Sequence, residues 1–145
     1  MQMTIERRDL FTVPDDYYLC HCISADFALG AGIAKKFAEL GVRDELIKHY
    51  RHFHTWTGHG QCIFTSATKW GEFNLVTKEK YWHKPTLDTL QEALYAMSYH
   101  PYPLKKIAMP KIGCGLDRLK WQDVERIIKE VFAETDIEIL VCDWS

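Results

Sequence analysis

The stretch Tyr17–Leu40, YYLCHCISADFALGAGIAKKFAEL, decides the fold class. Tyr17–Ile23 is a mostly apolar run, which is typical of a buried strand. After a loop with two glycines, apolar residues recur at helical spacing over Gly30–Leu40, and Gly41 can end that helix. A strand that leads through a glycine loop into a helix predicts an α/β protein.

The rest of the chain continues the alternation of strands and helices. Continuous apolar runs predict a sheet that is covered on both faces, with ligands at the carboxyl ends of its strands. Lys69–Gly71 is interpreted as a hairpin turn. The other predicted strands are Cys62–Thr65, Glu72–Thr77, Ile107–Met109 and Ile137–Cys142. The other predicted helices run from about Val42 to His52, from Leu87 to Met97 and from Trp121 to Phe132.

Length and composition predict one cytoplasmic domain. The chain has 145 residues, without a repeat or linker, so we expect a single domain over residues 1–145. Its start is charged, and no segment is apolar enough to cross a bilayer. We therefore expect an intracellular, cytoplasmic monomer. The five cysteines are interpreted as reduced: Cys20, Cys22, Cys62, Cys114 and Cys142.

The charge balance argues against a duplex nucleic-acid binder. The formal net charge is −2, so the surface as a whole does not suit a polyanion. Single-stranded nucleic acid needs only a short basic groove. The residues that would supply one, or would simply be solvated charges, are Lys35, Lys36, Lys111, Arg118 and Lys120.

The loop of residues 24–33 is the first candidate site. Its glycines allow close approach of the backbone to a ligand, and the free N–H groups of the following helix favour an anion. The same glycines would also suit a tight strand-to-helix turn with no ligand. The loop alone does not separate these interpretations, because a lone glycine pair is weak evidence.

The second candidate site is Thr77–Lys80, where a predicted strand ends. Strand alternation sends Lys78 and Lys80 to one side and Glu79 to the other. A solvated strand end is the ordinary explanation of such lysines. The functional alternative is a lysine that faces the ligand crevice, as a phosphate contact or as a nucleophile.

The third candidate site is the segment KIGCGLDRL, residues 111–119, which follows another predicted strand. Asp117 is either a helix N-cap or a functional carboxylate. Cys114 would need a base and an electropositive environment to act as a nucleophile. His21 is the conceivable base, although its position within a strand favours a core histidine.

Four histidines and one cysteine lie close together in the sequence, which raises the question of a metal site. The spacing of these residues matches no strong zinc pattern, and a polar helix face with the loop after it explains them more simply. We therefore expect no metal. The residues are His49, His52, His54, His59 and Cys62.

Three segments together resemble the macrodomain family, and more narrowly the branch that contains the terminal ADP-ribose protein glycohydrolase. They are HCISADFALGAGIAKKF, LVTKEKYWHKPTLDTLQEALYAM and MPKIGCGLDRLKW, and the likeness runs from Arg7 to Val141. The resemblance implies a three-layer α/β/α sandwich around a mixed sheet, with a cleft for ADP-ribose and no cofactor.

The resemblance also implies roles for individual residues. Asp9 corresponds to the acidic residue that contacts adenine, with Leu10 beside it, although Arg8 stands where the family usually has glycine. Lys78 corresponds to the catalytic lysine and Asp117 to its acidic partner, with Lys80 as the fallback. The first ligand loop comprises Ser24, Gly30, Ala31, Gly32 and Ile33, and the second comprises Gly113, Cys114, Gly115 and Leu116.

In the mechanism that the resemblance implies, the lysine attacks the anomeric carbon of the distal ribose and the aspartate acts as acid and base. The expected substrate is mono-ADP-ribose on acidic residues of proteins. Alternatives are a reader without chemistry, and a hydrolase of O-acetyl-ADP-ribose, ADP-ribose 1''-phosphate or ADP-ribosylated nucleic acid. A generic nucleotide-binding domain is disfavoured, because the Gly-Lys-Ser/Thr phosphate loop is missing.

Overall fold

A six-stranded mixed sheet forms the centre of the computed structural model, which describes residues 1–51, 55–101 and 104–144. The strand order is β1-β6-β5-β2-β4-β3, and β3 and β4 pair antiparallel while the other neighbours pair parallel. The strands are β1 (Gln2–Glu6), β2 (Tyr18–Ser24), β3 (Gln61–Thr65), β4 (Glu72–Lys78), β5 (Lys106–Met109) and β6 (Glu138–Cys142).

Four helices in these ranges cover the two faces of the sheet: α1 (Gly32–Glu39), α2 (Val42–Tyr50), α3 (Leu87–Ser98) and α4 (Trp121–Val131). The two faces carry separate apolar cores. Leu19 and Val76 of the sheet pack with α1 and α2, whereas Cys20 and Leu75 pack with α3 and α4. Adjacent strand residues enter opposite cores because side chains alternate across a strand. The predicted α/β/α sandwich with a mixed sheet is confirmed.

The N-termini of the helices differ in a way that matters for the site. At α3, Thr86 Oγ1 accepts a hydrogen bond from the Thr89 amide at 3.0 Å, and the Thr86 amide donates to Thr89 Oγ1 at 3.1 Å. This reciprocal capping fixes the start of α3. At α1, the preceding residue is Ala31, and no side chain caps the helix.

The structure differs from the sequence prediction at β1 and at the ends of two helices. The strand β1 was not predicted; its residues are largely exposed, so no apolar run marks it. The helix α1 begins at Gly32, two residues later than the predicted start. The helix α2 ends at Tyr50, and His52, the predicted end, lies outside the described residues.

The predicted hairpin joins β3 to β4, but its connection spans residues 66–71. Glu72, which is fully buried, organises this connection. Its carboxylate accepts hydrogen bonds from the Ala67 amide at 2.9 Å, the Thr68 amide at 3.0 Å and the hydroxyl of Thr65 at 2.8 Å. A buried carboxylate with several donors is stable without a cationic partner.

Within the described ranges, no helix combines the length and the apolar character that crossing a membrane requires.

Candidate active site

The carboxyl ends of β2, β4 and β5 meet at one edge of the sheet, because these strands run parallel. A cavity of about 1090 Å³ lies at this edge. Lys80, the fallback lysine, is not among the residues that line it. The lining includes every other residue that the resemblance singles out: Asp9, Leu10, Ser24, Gly30, Ala31, Gly32, Ile33, Lys78, Gly113, Cys114, Gly115, Leu116 and Asp117.

Asp26 organises the first glycine loop. Its Oδ1 accepts from the Ser24 hydroxyl at 2.5 Å and from the Ala28 amide at 3.1 Å, and its Oδ2 accepts from the Tyr81 amide at 3.0 Å. Burial alone would raise the pKa of this carboxyl, but the three hydrogen bonds lower it below its ordinary value. Asp26 therefore ties the loop after β2 to the segment after β4.

The first loop leads into an uncapped helix. Gly32, the first residue of α1, has a φ of +59°, which favours glycine. Because no side chain caps α1, the N–H groups of its first turn are left for another acceptor. A helix N-terminus beside a cavity suits an anion such as a diphosphate.

The second glycine loop is a closed turn over residues 111–119. The Leu119 amide donates to the Gly113 carbonyl at 2.8 Å, and Gly113 adopts a φ of +72°. A Cβ on Gly113 would lie 2.9 Å from Leu119 Cδ1, whereas a Cβ on Gly115 would meet no protein atom within 4 Å. Packing against Leu119 thus explains why a glycine stands at position 113. The absence of a side chain at Gly115 leaves the backbone there open to the cavity.

Lys78 and Asp117 meet in this cavity. Nζ of Lys78 donates to Oδ1 of Asp117 at 2.7 Å. Both side chains are largely buried, with exposed fractions of 14% and 15%. The lysine at the end of β4 and the carboxylate of the second glycine loop are therefore in direct contact. Their distance is short enough for proton transfer between them.

Cys114 lines the cavity without the environment of a nucleophile. Its Sγ donates to the Ile112 carbonyl at 3.3 Å. Burial raises the pKa of the Cys114 thiol, although Lys111 acts in the opposite direction. A thiol with a raised pKa is a poor nucleophile at neutral pH.

His21 does not serve Cys114 as a base. Its ring is fully buried and stacks on Phe37 of α1, with ring centroids 3.8 Å apart, whereas Cys114 packs against the opposite core. Nε2 of His21 donates to Asn74 Oδ1 at 2.5 Å. Burial lowers the pKa of His21 to about 4, although the bond to Asn74 opposes this shift. His21 is a core histidine, as its strand position favours.

Arg8 stabilises the turn that presents Asp9. The Arg8 guanidinium donates to the Thr12 carbonyl at 2.7 Å and lies 3.2 Å from Glu6 Oε2. Asp9 Oδ1 accepts from the Phe11 amide at 3.0 Å, which starts a short 3₁₀ turn at Leu10–Thr12. The Arg8 that replaces the usual glycine therefore supports the turn, and Asp9 still lines the cavity.

The sequence interpretation did not select several residues that line the cavity, among them Tyr81, Lys84 and Trp144. Nζ of Lys84 donates to the Leu116 carbonyl at 2.8 Å. The side chains of Tyr81 and Trp144 are exposed large aromatics. Tyr81 and Lys84 belong to the six residues between Lys78 and Pro85, but only the fold shows which of these six face the cavity.

The residues considered for a metal do not form a cluster within the described ranges. His59 Nδ1 pairs with Glu92 Oε2 at 2.6 Å, and Cys62 lies in β3. In residues 1–51, 55–101 and 104–144, no group of three or more potential metal ligands occurs. His52 and His54 lie outside these ranges.

Two solved structures show which fold the chain adopts. The macrodomain of Thermus aquaticus DarG matches with a TM-score of 0.82 at 19% identity, over 98% of each chain. The macrodomain of Mycobacterium tuberculosis DarG matches with a TM-score of 0.81 at 20% identity, over 99% of each chain. These likenesses show a macrodomain fold.

A curated relative narrows the class to a family. The chain is 38% identical to human ADP-ribose glycohydrolase OARD1 over 143 residues, which is 97% of this chain and 90% of the relative. A search of protein-family models gave no match. The identity to this relative shows that the chain belongs to the macrodomain family, in the terminal ADP-ribose glycohydrolase branch.

Proposed function

We propose that this protein is an ADP-ribosyl hydrolase that removes mono-ADP-ribose from acidic residues of modified proteins. The 38% identity to an ADP-ribose glycohydrolase over nearly the whole chain supports the reaction class. The observation that carries the mechanism is the ion pair of Lys78 with Asp117 inside the cavity, with 2.7 Å between Nζ and Oδ1.

The cavity offers separate features for the parts of ADP-ribose. Asp9 lines it and offers a carboxylate for adenine. The uncapped start of α1 at Gly32 and the open backbone at Gly115 suit the diphosphate, because backbone N–H groups bind phosphate oxygens well. The distal ribose then has its anomeric carbon at Lys78 and Asp117.

In the proposed reaction, Lys78 Nζ attacks the anomeric carbon of the distal ribose. The bond from that carbon to the ester oxygen breaks, and the protein carboxylate leaves with the electron pair. A transient lysyl–ribose adduct forms. Water then adds to the same carbon, the bond to Nζ breaks, and ADP-ribose is released with the lysine regenerated.

The ion pair supports a role for Asp117 in the proton transfers. In the paired form, Lys78 carries the proton that it must lose before it can attack. The Asp117 carboxylate is 2.7 Å away, so it can accept that proton and return it when the lysine leaves.

A reader without chemistry would share the cavity and the glycine loops. Such a reader does not require a lysine paired with a carboxylate at the distal ribose, and the buried pair therefore favours the enzyme. Hydrolysis of O-acetyl-ADP-ribose, of ADP-ribose 1''-phosphate or of ADP-ribosylated nucleic acid would use the same position.

Product analysis with a substrate panel tests the proposal. The panel comprises a protein mono-ADP-ribosylated on glutamate, ADP-ribosylated single-stranded DNA and O-acetyl-ADP-ribose. Wild type should release ADP-ribose from the glutamate-linked protein, and Lys78→Ala should abolish turnover while it retains ADP-ribose binding. Lys80→Ala is the matched control, because Lys80 does not line the cavity. Full activity of Lys78→Ala would refute the mechanism, and ADP-ribose binding without turnover by wild type would indicate a reader.

A further inference from the structure

Lys84 reaches from the segment after β4 to the loop that carries Asp117. Its Nζ donates to the carbonyl of Leu116 at 2.8 Å. This carbonyl belongs to the peptide unit that joins Leu116 to Asp117. Asp117 is therefore held on two sides, by Lys84 at the preceding peptide and by Lys78 at its own carboxylate.

The backbone on both sides of Lys84 is held in place by packing and hydrogen bonds. Pro85, the next residue, is buried, and Thr86 caps α3 through the reciprocal pair with Thr89. On the other side, the Tyr81 amide is bonded to Asp26 at 3.0 Å. The segment of residues 81–86 is thus tied at both ends, so the Lys84 side chain extends from a fixed point.

The loop that Lys84 holds needs external support. Leu116 is 65% exposed, so apolar packing holds it weakly. Arg118, on the far side of Asp117, adopts a φ of +62°, which is unfavourable for a residue with a Cβ. The amides of Leu119 and Arg118 make backbone hydrogen bonds within the loop. The Leu116 carbonyl instead accepts its hydrogen bond from Lys84.

We infer that Lys84 is a positioning residue that fixes the orientation of Asp117 for the reaction at the distal ribose. This inference rests on the proposed function. It assigns Lys84 to the proton-transfer step through the backbone of Asp117, and not to the binding of the ADP-ribose diphosphate. The two roles differ experimentally, because loss of positioning lowers kcat whereas loss of a ligand contact lowers affinity.

Lys84→Met separates these roles, because methionine keeps an unbranched stem and removes the donor. We expect kcat on the glutamate-linked substrate to fall about tenfold to a hundredfold, since small misplacements of a catalytic group have effects of this size. The dissociation constant of ADP-ribose, measured by calorimetry, should rise by much less than kcat falls, although the Gly115 backbone belongs to the same loop. Lys84→Arg should recover part of kcat, because the guanidinium can donate to the same carbonyl.

Hydrogen exchange provides a second measurement that does not depend on turnover. In Lys84→Met, the amides of Arg118 and Leu119 should exchange faster, because their bonds close the supported loop. Lys48→Met is the control, since Lys48 is an exposed lysine of α2 outside the cavity lining. It should leave both kcat and exchange unchanged.

Two outcomes would overturn the inference: unchanged kcat with unchanged exchange, or a loss confined to ADP-ribose affinity. If wild type turns over no substrate of the panel, the proposed function fails. In that case the exchange of Arg118 and Leu119 still decides whether Lys84 holds the loop: unchanged exchange refutes it and faster exchange supports it.

Discussion

Lys78 and Asp117 form a largely buried ion pair, although 39 positions separate them in the sequence. One partner comes from the end of β4 and the other from the loop before α4. Their meeting therefore depends on the parallel arrangement of β4, β2 and β5. The pair connects the fold to the proposed chemistry, and its contribution to stability is measurable apart from activity.

A double-mutant cycle should reveal coupling between Lys78 and Asp117. Lys78→Met or Asp117→Ala alone leaves one charged group without its partner in a largely buried position, which destabilises the protein. We expect a coupling energy of about 1–2 kcal/mol in the free energy of unfolding. Urea titrations of wild type, both single variants and the double variant provide the measurement. Additive effects of the two substitutions would show that the pair contributes nothing to stability.

Two glycines of the second loop should respond differently to alanine. Gly113→Ala should lower the free energy of unfolding by about 1–3 kcal/mol, because its φ is +72° and the new Cβ would contact Leu119 closely. Gly115→Ala meets no protein atom within 4 Å, so stability should be nearly unchanged while ADP-ribose affinity falls. Thermal unfolding and calorimetry separate the effects. A Gly115→Ala variant with unchanged affinity would show that the ligand does not approach this backbone.

Cys114→Ala should retain essentially the wild-type kcat. Burial raises the pKa of the thiol, and its Sγ donates to the Ile112 carbonyl, so the sulfur is not prepared for attack. Steady-state kinetics on the glutamate-linked substrate provide the measurement. Loss of activity as complete as in Lys78→Ala would instead assign Cys114 to the reaction.

His21 should make the protein less stable in mild acid. Its pKa is about 4 in the folded protein and 6.5 as its ordinary value, so between these values the unfolded chain binds a proton that the folded protein excludes. Stability therefore falls as the pH drops from 6.5 towards 4, with an upper value of about 3 kcal/mol. Urea titrations at pH 7 and pH 4.5 measure this loss.

His21→Gln is the matched control for the acid effect. Glutamine can still donate to Asn74 but does not titrate. The difference in unfolding free energy between the two pH values should therefore shrink in this variant. An equal loss in wild type and His21→Gln would assign the acid sensitivity to other groups.

The sequence predicted the strands and helices in which apolar residues recur at a regular spacing. The apolar strand β2 and the helix α3, with Leu90, Leu94 and Met97 on its buried side, follow from local periodicity. The strand β1 has no such signal, because it lies at the edge of the sheet and Ile5 is half-exposed. An edge strand gains its structure from its neighbour β6, which local patterns do not reveal.

The candidate site was predictable only in part, for the same reason. The glycine loops and Lys78 could be selected from their motifs, and alternation alone could not choose between Lys78 and Lys80. The contact of Lys84 with the Leu116 carbonyl spans 32 positions and involves a backbone atom, which carries no side-chain signal in the sequence. Asp26 likewise gains its role from the distant amide of Tyr81.

The parallel course of β1 and β6 separates the two ends of the described chain. The amino group of Met1 donates to the Thr135 carbonyl at 2.7 Å, near the amino end of β6. Trp144, which follows the carboxyl end of β6, lines the cavity. An affinity tag or fluorescent label attached before Met1 therefore lies away from the cavity. The same attachment after Trp144 would lie beside the cavity, so surface-immobilised assays should tether the molecule through the end that carries Met1.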